Sequence, residues 1–175
     1  MIIKDEAVKK VLMDSGWNEE RNVDITEFIE AYNKYGYDMP DKVKEVLSAF
    51  GGLTLEIPDY RYQYYCEVTG KTSAKETDLY TFLIVKPDEL LKNDSERMIK
   101  ETRDYTKEVA AFYKLSEVYP IGYRSDYEEE YYIGENGELI DTHEDMSICL
   151  GNSFEEGIKR IMTDKDTDME YFSEY

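Results

Sequence analysis

His143 is the sole histidine among 175 residues, so any nucleophile–His–acid arrangement would have to be built on it. No GxSxG turn and no catalytic-cysteine context accompanies it, and it reads as a surface or loop histidine. Asp164, Asp166 and Asp168 have the spacing of the first three ligands of a calcium loop. The match then fails. Met169 stands where a glycine must make the sharp turn, and Tyr175 stands where a bidentate glutamate must close the shell. A solvated acidic tail is the better reading. Cys66 and Cys149 lie far apart and in no CxxC, which makes neither a disulfide framework nor a four-ligand zinc site. Gly51-Gly52 lacks the later Gly, Lys and Ser/Thr of a phosphate loop. Carboxylate pairs carry little information in a chain with 40 acids. No catalytic residue, metal ligand or cofactor site is therefore assigned, and the chain is not read as an enzyme.

Charge points instead to binding. Lys plus Arg number 21 against 40 Asp plus Glu, a net charge of −19. Nucleic acid and anionic membrane surfaces would be repelled, which excludes them as direct partners. A cationic protein would be attracted, and steering of that kind raises association rates. The acids concentrate between Pro120 and Gly157, where Arg124 is the one base against 11 acidic residues. Asp126, Tyr127, Glu128, Glu129, Glu130, Tyr132, Glu138 and Asp141 form the candidate contact set, since tyrosines supply rigid contact area and carboxylates pair with Arg or Lys. The tyrosines between Tyr60 and Tyr65 could stack bases, but a stacking platform needs a basic groove. Trp17, the only tryptophan, reads as a core anchor.

These residues must be positioned by elements that the periodicity marks. Val8, Val11 and Leu12 give a helical stripe over roughly 5–14, stopped by Ser15-Gly16. Asp24 and Glu27 have capping-box spacing ahead of the face Ile25, Phe28, Ile29 and Tyr32. Val43, Val46, Leu47 and Phe50 mark a third helix from Pro40, stopped by Gly51-Gly52. Alternation then takes over at Leu53, Leu55 and Ile57, and Pro58 ends that strand. Further strands are expected at 60–68 and 79–85, and one or two helical turns at Pro87–Leu91. A long helix over 95–114 should bury Met98, Tyr105, Val109 and Phe112. Tyr119-Pro120-Ile121-Gly122 reads as an edge segment, because proline cannot donate to a central ladder. Asn136-Gly137 between apolar runs predicts a hairpin. A strand follows at 146–150. Ser153 and Glu156 cap a last helix with Phe154, Ile158, Ile161 and Met162 inward. The sum is a single α+β domain over 1–163, with helices packed on a mainly antiparallel sheet, and an acidic tail over 164–175. No membrane span or signal peptide is read, which predicts a cytoplasmic protein with reduced thiols.

The order of motifs resembles the SUKH superfamily of bacterial immunity proteins, its third group in particular. The resemblance rests on Val11-Leu12 with Ser15-Gly16-Trp17, Arg21 and Val23-Asp24; on Gly36-Tyr37; on Phe50-Gly51-Gly52-Leu53; on Tyr119-Pro120-Ile121-Gly122; on the Asn136-Gly137 hairpin; and on Leu150-Gly151-Asn152-Ser153-Phe154-Glu155-Glu156 with Ile158. It covers roughly 7–57 and 118–162. Gly157 departs from the more usual alanine, which should weaken the last helix by up to ~1 kcal/mol. Tyr123-Arg124 departs from a more usual acidic or small residue. The resemblance implies an α+β fold, no catalysis and no cofactor. It implies a partner as well: a cognate protein toxin, often a nuclease, which the immunity protein binds and neutralises. The alternative is an intracellular scaffold or regulatory module of the same fold.

Overall fold

The computed structural model describes residues 1–60, 69–70, 80–93, 95–124, 129–143, 146–163 and 171–173. Six helices are seen among them: α1 Glu6–Asp14, α2 Thr26–Lys34, α3 Asp41–Phe50, α4 Pro87–Leu90, α5 Glu96–Phe112 and α6 Phe154–Thr163. The strands are β1 Thr54–Pro58, β2 Tyr80–Ile84, β3 Val118–Arg124, β4 Glu129–Gly134, β5 Leu139–His143, β6 Met146–Gly151 and β7 Tyr171–Ser173. They form one sheet in sequence order, and every neighbouring pair is antiparallel. The fold is α+β, as the element pattern predicts. The strand expected at 60–68 falls largely outside the described residues.

Two apolar clusters sandwich the sheet. The larger lies under α1, α2, α3 and α6, where Val8, Leu12, Tyr32, Val43, Phe50 and Ile158 meet Leu55, Leu83, Ile121, Tyr131, Ile133 and Leu139. The smaller lies under α5, where Val109 and Ala110 meet Val118, Tyr132 and Ile140. Successive residues of a strand point to opposite faces, so Tyr131 and Tyr132 serve different cores, as do Leu139 and Ile140. Phe50 is the centre of a ring stack that joins α3 and α6 to the loop after α1. Trp17 packs on one side at 5.7 Å between centroids, and Phe154 on the other at 4.7 Å. Trp17 is thus buried as a core anchor.

Helix ends explain the tight turns. After α1 the Trp17 N–H reaches the Leu12 carbonyl and the Gly16 N–H reaches Met13, with Gly16 at φ +93°. After α2, Gly36 and Tyr37 repeat the pattern on Asn33 and Tyr32. These are Schellman closures, which need a left-handed residue just past the helix. After α5 the same closure falls on Lys114, at φ +58°.

Four expectations change. Asp24 does not form a capping box with Glu27; its carboxylate accepts from the Thr26 N–H and hydroxyl, an Asx turn that starts α2 two residues later. Helix α5 buries Thr106, Val109 and Ala110, and leaves Met98 and Phe112 exposed. The narrow stripe over β3–β5 sets which side of α5 faces inward, and periodicity alone could not choose between adjacent stripes. Strand β3 is interior rather than an edge, yet Pro120 keeps an edge-like place in it. β2 pairs only with Tyr123 and Arg124, and a bulge separates Pro120 from Gly122. The Pro120 carbonyl instead accepts from the buried Tyr32 hydroxyl. Lastly, residues 171–173 of the acidic tail return to the sheet beside β6.

Candidate functional site

The acidic region is built around the β4–β5 hairpin. Gly137, at φ +110°, makes the turn, and the Gly134 N–H closes it on the Glu138 carbonyl at 2.9 Å. Lys42 of α3 lies over Gly137, with its Cε 3.2 Å from where a Cβ would sit. The hairpin therefore meets α3 at its tip, and its Tyr132 and Ile140 share a core with Val109 and Ala110 of α5.

The structure gives most of the carboxylates here an internal task. Glu129 forms an ion pair with Arg124 at 2.6 Å and accepts from the Tyr131 hydroxyl at 3.1 Å. Glu130 accepts from the Tyr132 hydroxyl. Glu138 accepts from the backbone N–H and side-chain amide of Asn136, at 3.1 and 3.0 Å. Glu135 holds the entry to β3 by accepting from the N–H groups of Ser116 and Glu117, at 3.0 and 3.1 Å. Burial would raise the Glu135 pKa, but these backbone donors favour its charged form more strongly and leave it below the usual carboxylate value.

Of the candidate contact set, Glu129, Glu130 and Glu138 are half-buried on one hairpin. Tyr132 is buried in the smaller core, 6.4 Å from the Tyr105 ring, and its phenol is pushed well up by burial and then by Glu130. Asp141 is also buried, opposite Tyr131 in β4 and Ile148 in β6. Those two side chains lie below the surface that a partner could touch. Asp126, Tyr127 and Glu128 lie outside the described residues.

Other charges escaped the sequence reading. Glu27 and Glu30 are exposed on α2, and neither has an ion pair among the described residues. The inward stripe Ile25, Phe28, Ile29 and Tyr32 already implied that outward placement. Arg103 lies 3.9 Å over the Tyr37 ring and pairs with Glu117, fastening α5 to the start of β3. Nothing in sequence spacing announces that contact. An open groove of about 620 Å³ runs between the first residues, α3 and the start of α6. Its charges are spent on internal ties. Lys42 meets Glu45 at 2.8 Å, Lys159 meets Asp5 at 2.7 Å, and Glu155 accepts from the backbone of Lys4 and Asp5.

His143 ends β5 opposite Glu129. No group of three or more His, Cys, Asp or Glu among the described residues is arranged to hold a metal. No described helix is long and apolar enough to cross a membrane. What the geometry defines is an α+β domain, helices on an antiparallel sheet, in a chain of net charge −19. Residues 4–164 match the family model described as SUKH-3 immunity protein, and the chain belongs to that family. Membership gives it a role in toxin immunity, and a toxin as partner, in general terms. No curated protein and no solved structure matches the chain.

Proposed function

We propose that this chain neutralises a cognate toxin in the cytoplasm by covering it with an acidic surface, without catalysis of its own. The observation that carries the reading is a net charge of −19 on a member of an immunity family. A toxin surface that fits it is basic, and a nuclease domain has to be basic to hold nucleic acid. The contact set is Glu129, Glu130 and Glu138 of the hairpin with Asp126, Tyr127 and Glu128, which precede it in sequence. Tyr132 and Asp141 support that surface from below. Approach is steered by the whole field, while the final contacts set the dissociation rate.

The test is co-expression with the toxin domain encoded beside this chain, scored by growth rescue and co-purification. Asp126→Lys with Glu128→Lys reverses charge in the segment just ahead of β4 and leaves Glu129 and Arg124 in place. Glu27→Lys with Glu30→Lys probes α2 as a matched reversal of charge. Rescue lost with the first pair alone, with dissociation faster by an amount worth about 2–5 kcal/mol, is the expected result. Loss with the second pair alone moves the surface to α2. Undiminished rescue with both removes the acidic surface from the account, and no rescue by the unaltered chain removes the toxin chosen.

A further inference from the structure

The two edges of the sheet are protected in different ways. An open edge presents unpaired N–H and C=O groups to any other strand, and proteins blunt such edges with charge, proline or covering elements. On the β1 side all of these are present. Glu56 is exposed on the strand, Pro58 ends it, and the outward Glu56 N–H is taken by the Ser15 hydroxyl at the end of α1, at 3.0 Å. Strand β6 lacks the first two. Its sequence, Met146-Ser147-Ile148-Cys149-Leu150-Gly151, contains no charge and no proline. It pairs with β5 along its length, and on its other side, among the described residues, Met146, Ser147 and Ile148 are matched by Ser173, Phe172 and Tyr171.

The segment that covers β6 is unusual for its surroundings. Tyr171-Phe172-Ser173 is a short strand-forming island in a tail whose residues 164–175 hold five acids against one base, a net of −4. Only seven residues separate it from the end of α6, so bringing it back to the sheet costs little closure entropy.

We infer that Tyr171–Ser173 is an edge guard, which occupies the open side of β6 and prevents it from pairing with β6 of a second copy of this chain. Two such edges are self-complementary under a two-fold axis, so the pairing it blocks is a closed antiparallel dimer. Each copy carries −19, so the latent dimer is opposed by repulsion that salt screens.

The experiment uses the full chain and the variant Phe172→Pro, whose ring removes a strand donor. Sedimentation is followed over a roughly hundredfold range of concentration, at low and high salt. Hydrogen exchange is read at the β6 amides that face β7. The unaltered chain should stay monomeric with those amides protected. Phe172→Pro should keep the circular dichroism of the fold and exchange the same amides about tenfold faster or more when dilute. It should then become dimeric as concentration and salt rise. A variant that stays monomeric throughout overturns the inference. So does an unaltered chain that already dimerises, or one whose β6 amides exchange as fast as in the variant. Global unfolding of Phe172→Pro overturns it too, because a guard is dispensable to the fold.

Discussion

Tyr32 shows how much one hydroxyl can hold in place. Its ring is fully buried between Tyr37 and Tyr119, and its O–H goes to the carbonyl of Pro120, which is itself buried in the part of β3 that β2 does not reach. Tyr32→Phe leaves the ring packing intact and orphans that carbonyl, so stability should fall by about 1–3 kcal/mol in urea unfolding. Gly157 makes the opposite point. Its helix position invites alanine, which would gain up to ~1 kcal/mol of helix propensity. But α6 lies so close to β5 that a Cβ would stand 2.5 Å from Leu139 Cδ2 and 2.6 Å from Leu139 Cβ. The second contact cannot swing away, so helix or strand must shift, at about 1–3 kcal/mol. Gly157→Ala should therefore lower the thermal midpoint, where the sequence taken alone expects it to rise.

Elements are joined by their ends. Asp5 caps α1 by accepting from Ala7 and Val8, and its other oxygen meets Lys159 of α6. The lysine, followed by the backbone donors, holds the Asp5 carboxyl below its usual value. Ser153 caps α6 by accepting from the Glu156 N–H at 3.2 Å, and Glu156 returns to the Asn152 N–H at 3.0 Å, close to the predicted capping box. The end of α5 is the least comfortable. Lys114 holds the left-handed conformation that glycine takes after α1 and α2, and its Cβ is penalised there. Lys114→Gly should stabilise the chain by about 0.5–1 kcal/mol, with the larger gain in strain reduced by the entropy glycine loses on folding. A midpoint that drops on this substitution would show that the lysine side chain contributes more than its backbone costs.

Across the whole molecule, the buried phenols set the alkaline limit. Burial raises Tyr32, Tyr37, Tyr119 and Tyr132 above the ordinary value of 10.0, and most strongly Tyr32 and Tyr132. The folded chain then keeps protons that the unfolded chain loses. Their contribution is complete below about pH 10 and declines as pH rises towards the folded values. Phenolate absorbance should show an early wave from accessible tyrosines, then a cooperative step that coincides with loss of circular dichroism. A single wave near pH 10 with the fold intact would contradict this. On the acid side Asp5, Glu89 and Glu135 are held low, Glu89 chiefly by the Tyr123 hydroxyl and then Lys86. Their contribution is present above the ordinary carboxylate range and is lost as pH falls through the lowered values.

Much of this was readable in the chain. The helical stripes on Val8–Leu12 and Val43–Phe50, the alternation at Leu55 and Ile57, the Asn136-Gly137 turn and the Ser153 cap are local patterns, and local sterics and hydrogen bonding determine them. The net charge and the family resemblance were equally legible. The tertiary structure alone decided which side of α5 faces inward, why Gly157 is glycine, and which carboxylates remain for a partner. Glu129, Glu130, Glu135 and Glu138 look alike as letters, yet Arg124, Tyr132 and Asn136 claim three of them from within five residues, and Ser116 claims Glu135 across 19. Periodicity reports what a residue's neighbours in sequence are doing. Burial and charge pairing depend on what arrives from elsewhere, and that is settled only when the segments pack.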